Sequence, residues 1–124
     1  MRARTFIVVG AILGAIGVAA GAFGAHAGAN SVTPERLKAF ETAARYHQIH
    51  AIAILAVGLI GAAWPSSRFK LAGYLFLAGI ILFSGSLYVL VLTDTGWLGA
   101  VTPVGGLALI SGWLILAWGV GSRE

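Results

Sequence analysis

Cysteine is absent from this 124-residue chain, and only four residues are acidic. The first absence excludes disulfides, thiolate metal sites and thiol catalysis. The second bears on transport. Glu35, Glu41, Asp94 and Glu124 all lie outside the long apolar runs, and no lysine falls within those runs either. An ionisable group in the hydrocarbon region is a functional-site candidate by default, so its absence argues against proton- or cation-coupled transport through a buried acid. Charge is scarce altogether. Charged residues are 10% of the chain, against about a quarter in a soluble domain, so the chain cannot clothe a water-facing surface. The eight Lys and Arg residues outnumber the acids, and the net charge is +4. They stand singly or in pairs at the ends of apolar runs, not in the stripe or patch that nucleic acid requires. Their expected role is orientation in a membrane.

What is present is hydrophobic: 59% of the residues, with a mean hydropathy of +0.93. Four runs have the length a bilayer demands, about 20 residues at 1.5 Å rise each. They cover residues 5–27, 46–64, 71–92 and 101–120, the second closed by Pro65 and the third opened by Arg68 and Lys70. The runs are continuous rather than alternating, which excludes a transmembrane β-barrel. Short connections between spans two, three and four require antiparallel neighbours. The expected fold is an all-α membrane protein, a single domain over residues 1–124. It is a four-transmembrane-helix antiparallel bundle with a short interfacial helix at 34–45 between spans one and two.

Arg2, Arg4 and Ala25-His26-Ala27 imitate a signal peptide, but the apolar stretch exceeds the usual 7–15 residues or so, and an uncleaved first helix is expected. With an inside N-terminus, Arg2, Arg4, Arg68, Lys70 and Arg123 fall on the cytoplasmic side, and Arg36, Lys38 and Arg45 outside. Five against three places both termini in the cytoplasm. Thr33 can cap the interfacial helix, Pro34 suits its first position, and Glu35 favours its positive end. Leu37, Phe40, Ala44 and His47 share one face; Lys38, Glu41 and Arg45 share another, at spacings that permit ion pairing. Such a helix reads as a ramp at the membrane surface.

Span one carries Gly10, Gly14, Gly17, Gly21, Gly24 and Gly28. Spacings alternating between four and three keep one side of a helix toward a neighbour. In lipid, close backbone approach replaces the hydrophobic drive for helix association, so the stripe is expected to be a packing seam. Span four has a weaker counterpart at Gly105, Ala108, Gly112 and Gly119. The two stripes could pair with each other, or one could form an oligomer interface; the sequence does not choose.

Neutral polar residues gather in the outer halves of the spans. His26 ends span one, and Tyr46, His47, Gln48 and His50 begin span two. Ser84, Ser86 and Tyr88 lie in span three, and Thr102 begins span four. The candidate polar cluster is His26, Tyr46, His47, His50, Ser84 and Tyr88. Two readings stand side by side: headgroup-level anchors and local helix bonds, or a pocket open to the outer leaflet. His26 lies about 200° around the helix from Gly24 at 100° per residue, away from the seam. A bis-histidine haem site needs imidazoles from different helices at equal depth, and no spacing motif supports one. No P-loop, dinucleotide fingerprint, metalloprotease pair or nucleophile elbow is present. No catalytic residue, cofactor or metal is expected, and the chain does not read as an enzyme.

Four motifs in order carry a family resemblance over the whole chain. They are Gly21-Ala22-Phe23-Gly24-Ala25-His26; Thr42-Ala43 with Tyr46 and His50-Ala51; Phe83-Ser84-Gly85-Ser86-Leu87-Tyr88; and Thr102-Pro103-Val104-Gly105-Gly106 with Gly112-Trp113. Together they resemble the small YgdD-like bacterial inner-membrane proteins, a domain of unknown function with a similar eukaryotic transmembrane protein. His47 stands where that family commonly has glutamine, so no role is carried over to it. The resemblance implies four helices and a bacterial inner membrane, and supplies no activity. The expectation is a structural or accessory membrane protein that associates with itself or a larger complex in the lipid bilayer. The alternative is a module that binds or transports a small molecule, such as a quinone or lipid, at the outer polar cluster.

Overall fold

The computed structural model describes residues 1–26 and 31–122. Gly28, assigned above to the stripe, and Arg123, counted among the cytoplasmic charges, lie outside the described residues. The described chain is helical: α1 (Ala3–Ala25), α2 (Pro34–Ala63), α3 (Ser67–Gly79), a π-helical turn (Ile80–Gly85), α4 (Ser86–Thr93), a 3-10 turn (Gly96–Ala100) and α5 (Thr102–Gly121). The run from Ser67 to Thr93 is continuous, as is that from Gly96 to Gly121, so four helical stretches are long and apolar enough to cross a membrane.

The chemistry at each end accounts for the boundaries. Thr33 caps α2 by accepting a hydrogen bond from the Arg36 backbone N–H at 3.3 Å, with Pro34 at the first helical position. Pro65 disfavours helical backbone at the residue before it, and α2 ends at Ala63 with Trp64 as its C-cap. Ser66 restarts the chain, accepting from the Arg68 N–H at 3.2 Å. Asp94 closes α4 in the left-handed region, φ 53°, a conformation Asp tolerates better than most residues.

Two features differ from the sequence expectation. Residues 34–45 are not a separate element but the first three turns of the 30-residue α2. Nothing between Arg45 and Tyr46 breaks a helix, and at 1.5 Å per residue α2 is about 45 Å long, well beyond the roughly 30 Å of bilayer hydrocarbon. Its surface charges also pair differently. The ion pair formed among the described residues joins Arg36 to Asp94 at 2.9 Å, tying the start of α2 to the end of α4 rather than linking Lys38, Glu41 and Arg45.

Rings seated on glycines organise the core. A Cβ on Gly73 would overlap the ring of Phe6; one on Gly112 would fall 2.7 Å from Phe76, and one on Gly119 2.9 Å from Phe69. Phe6, Phe69 and Phe76 are among the largest fully buried side chains. Ala53, Ile54, Val57, Ala72, Ile80 and Leu109 complete this cluster. A second, smaller cluster at the opposite end contains Phe40, Leu90 and Val91.

The glycine stripes do not meet each other. On α1, an added Cβ would lie 2.7 Å from the Leu55 backbone nitrogen at Gly10, 2.9 Å from Gln48 at Gly17 and Gly21, and 3.1 Å from Phe40 at Gly24. These partners all belong to α2. Residue numbers climb along α1 as they fall along α2. Gly14 is the exception, with nothing within 4 Å; it sits about 40° around the helix from Gly10, at the seam's edge. The α5 glycines face α3 and the π turn instead: a Cβ on Gly105 would fall 2.6 Å from the Leu82 carbonyl carbon. A side chain there would meet backbone, which cannot swing aside.

Candidate functional site

One turn of α2 carries Tyr46, His47, Gln48 and His50, and these side chains reach different neighbours. His47 and Gln48 engage α1. His47 Nε2 lies 2.8 Å from the Leu13 carbonyl, and Gln48 Nε2 donates to the Gly17 carbonyl at 2.8 Å. The absence of side chains at Gly17 and Gly21 lets Gln48 come this close. Because a carbonyl only accepts, His47 carries a proton on Nε2. Its Nδ1 is 2.8 Å from the Tyr88 hydroxyl, which donates to it when the ring is neutral. This imidazole therefore links α1, α2 and α4.

His50 is bound on the other side of α2. The Trp113 indole N–H, which can only donate, reaches His50 Nε2 at 2.9 Å. That nitrogen is thus the acceptor, and Nδ1 donates to the Tyr46 carbonyl one turn back at 2.7 Å. Both ring nitrogens are used, the imidazole is neutral, and α5 is joined to α2. Phe76 packs beside both rings, 5.7 Å from His50 and 4.9 Å from Trp113 between centroids.

Two serines fasten the region around the π turn. Ser84, fully buried inside that turn, donates to the Ala43 carbonyl of α2 at 2.7 Å. Ser86 donates to the Phe83 carbonyl at 2.9 Å and meets the Thr102 hydroxyl at 2.7 Å. The Thr102 hydroxyl also points to the Leu98 carbonyl at 3.4 Å, and the bond shared by the two hydroxyls ties α4 to the start of α5. Among the described residues, no buried side-chain nitrogen or oxygen lacks a partner.

The six candidates therefore do not form one cluster. His47 and Tyr88 are directly bonded; Ser84 is held separately by Ala43; His50 faces Trp113. Tyr46 is 41% exposed, its ring beside those of Phe83 and His50, and its hydroxyl makes no hydrogen bond to the described residues. His26 is exposed at the end of α1 and takes no part in these bonds, as its angle from the seam implies. Sequence reasoning left Gln48, Ser86 and Thr102 out of the cluster and did not single out Trp113 as a partner. A signal for Trp113 existed: an indole N–H within an apolar helix usually needs an acceptor. A groove of about 450 Å³ runs past Tyr46, His50, Phe83 and Trp113, with almost wholly apolar walls. No group of three or more metal-ligating side chains occurs among the described residues.

Four helical stretches of spanning length, crosslinked by neutral polar side chains, define a multi-pass helical membrane protein. Residues 20–106 match the family described as "Protein of unknown function (DUF423)", and this chain belongs to that family. It is similar to UPF0382 membrane protein SAB0533 of Staphylococcus aureus (strain bovine RF122 / ET3-1), 42% identical over 113 residues, covering 91% of this chain and 92% of that one. UPF0382 membrane protein SSP2132 of Staphylococcus saprophyticus is 40% identical over 116 residues, covering 94% and 96%. UPF0382 membrane protein YwdK of Bacillus subtilis (strain 168) is 39% identical over 114 residues, covering 91% and 93%. No solved structure matches the chain.

Proposed function

We propose that this protein is a non-enzymatic accessory component of a bacterial inner membrane, an antiparallel four-span bundle with both termini in the cytoplasm. The YgdD-like motifs and the five-to-three charge asymmetry support that placement and orientation. The opposing register of α1 and α2 supports the antiparallel arrangement. The length of α2 supports an outer surface formed by its first turns, with Glu35, Lys38, Glu41 and Arg45 in the headgroup region.

One observation carries the accessory reading: the buried polar side chains are spent on bonds between helices. A group that must recognise a substrate has to release one partner first. Here each such release would leave a buried donor or acceptor unpaired, at about 1–3 kcal/mol. The bonds instead fix helix positions and leave the outward faces of α1 and α5 for a partner protein or second copy. Extraction in mild detergent followed by mass spectrometry of companions tests this. A companion protein, or a second copy, in fixed ratio is expected. A tightly held small molecule with no protein companion would overturn it.

The groove beside Tyr46, His50 and Trp113 favours a second reading, small-molecule binding. Its volume of about 450 Å³ falls within the range of ligand sites, and the Tyr46 hydroxyl beside it is free to bond a quinone or ester carbonyl. Under this reading Tyr46→Phe releases the ligand without changing stability.

A further inference from the structure

We infer that the end of the bundle opposite the polar turn holds the phosphate headgroup of an anionic phospholipid, in a cleft between α1, α2 and α3. The cleft measures about 360 Å³ and combines two kinds of wall. Arg2 and Lys70 stand at its rim with Ser66, while Phe6, Val57 and Phe69 form its apolar floor. Neither Arg2 nor Lys70 has an acidic partner among the described residues, whose ion pair is Arg36–Asp94 at the far end. Arg68, another cation at this end, is already engaged: its guanidinium lies 3.8 Å from the Trp118 ring centroid and bonds the Ser122 hydroxyl. Two uncommitted cations thus face the same opening.

Charge and depth both select a lipid. Arg2, Arg4, Arg68 and Lys70 lie at this end, whereas the described acids Glu35, Glu41 and Asp94 lie at the other. Trp64 and Trp118, both about half exposed, accompany them as interfacial aromatics do. Cationic clefts between transmembrane helices suit phosphate headgroups. A soluble phosphate would satisfy the cations but leave the exposed Ala62 and Pro65 and the half-buried Ala3 of the cleft wall uncovered. A phospholipid satisfies both, its phosphate on Arg2 and Lys70 and its upper acyl chain along Ala3, Ala62 and Pro65. Gly61 and Ala62 keep the wall low, and nothing lies within 4 Å of a Cβ built on Gly61.

Native mass spectrometry of the full chain in detergent, titrated with phosphatidylglycerol or phosphatidylcholine, tests the site. At about 1 kcal/mol for each cation near the surface and 1.4 kcal/mol per decade, Arg2→Gln with Lys70→Gln should weaken phosphatidylglycerol roughly thirtyfold. Phosphatidylcholine binding should change far less. Lys38→Gln with Arg45→Gln removes the same charge from the other end and should leave phosphatidylglycerol affinity unchanged. Gly61→Phe, which fills the cleft without altering charge, should weaken it as well. Equal affinity for the two lipids, or equal loss in the Lys38/Arg45 control, overturns the proposal. Displacement of the lipid by millimolar inorganic phosphate overturns it in favour of a soluble anion. The inference rests on the membrane reading, which fails separately if the chain fractionates as a soluble protein. A membrane-inserted chain indifferent to phosphatidylglycerol defeats the lipid site alone.

Discussion

Gly10→Ala and Gly14→Ala are the same chemical change four residues apart on α1, yet the structure separates them. At Gly10 a new Cβ would stand 2.7 Å from the Leu55 nitrogen, 2.8 Å from the Ala51 oxygen and 3.0 Å from the Leu55 Cα. Comfortable contact begins near 3.5 Å, and all three obstacles are backbone, so α1 and α2 must part by nearly 1 Å. At Gly14 the new methyl meets nothing within 4 Å. Both positions lie inside the helix, so the gain of about 0.5–1 kcal/mol from replacing a helical glycine is common to both and cancels in the comparison. What remains is the overpacking term, about 1–3 kcal/mol, against Gly10→Ala. Equilibrium unfolding in mixed micelles, followed by circular dichroism, measures the difference directly. Gly14→Ala should match or exceed the parent protein, and Gly10→Ala should fall below it. Two indistinguishable variants, or a worse Gly14→Ala, would refute the seam as described.

Further outcomes follow from the same contacts. Ser84→Ala removes the bond from the π turn to Ala43 and should lower stability by about 0.6–1.7 kcal/mol, the range for interhelical hydrogen bonds in lipid, with thermal unfolding in detergent as the measure. Trp113→Phe keeps a ring beside Phe76 but deletes the donor to His50; a comparable loss is expected, and a neutral result would mean that water replaces the indole. Reporter fusions after Arg68 and after Gly96 should report inside and outside respectively, and reversed activities would invert the proposed orientation.

The length and apolarity of four continuous runs anticipated the four spanning helices. The glycine spacing likewise pointed to one side of α1, but angle alone could not tell that Gly14 sits at the edge while Gly10 touches backbone. Nor could it choose the partner. Each stripe is filled by a neighbouring element, α2 for α1 and α3 with the π turn for α5, rather than by the other stripe. The π turn left no trace in composition, since Gly79 and Gly85 read equally well as ordinary small residues in an apolar helix. Its effect is nonetheless on the site, because Ser84 lies within it. Polar residues were legible as residue types at a shared depth. Their pairing was not, because His47 and His50, three apart on α2, reach opposite neighbours through atoms at the ends of their rings. His26 was misplaced in the cluster by depth alone, although its angular position pointed away.

If the buried polar groups fasten the helices to one another, His47 with Tyr88 offers the cleanest test, because the two side chains bond each other at 2.8 Å. A double-mutant cycle of His47→Leu and Tyr88→Phe in lipid nanodiscs isolates their interaction from the packing each ring makes elsewhere. A coupling energy of about 0.6–1.7 kcal/mol, unchanged after exhaustive removal of small molecules from the sample, is the predicted result. Zero coupling, or a coupling that vanishes with the removal of a co-purified ligand, would contradict the account.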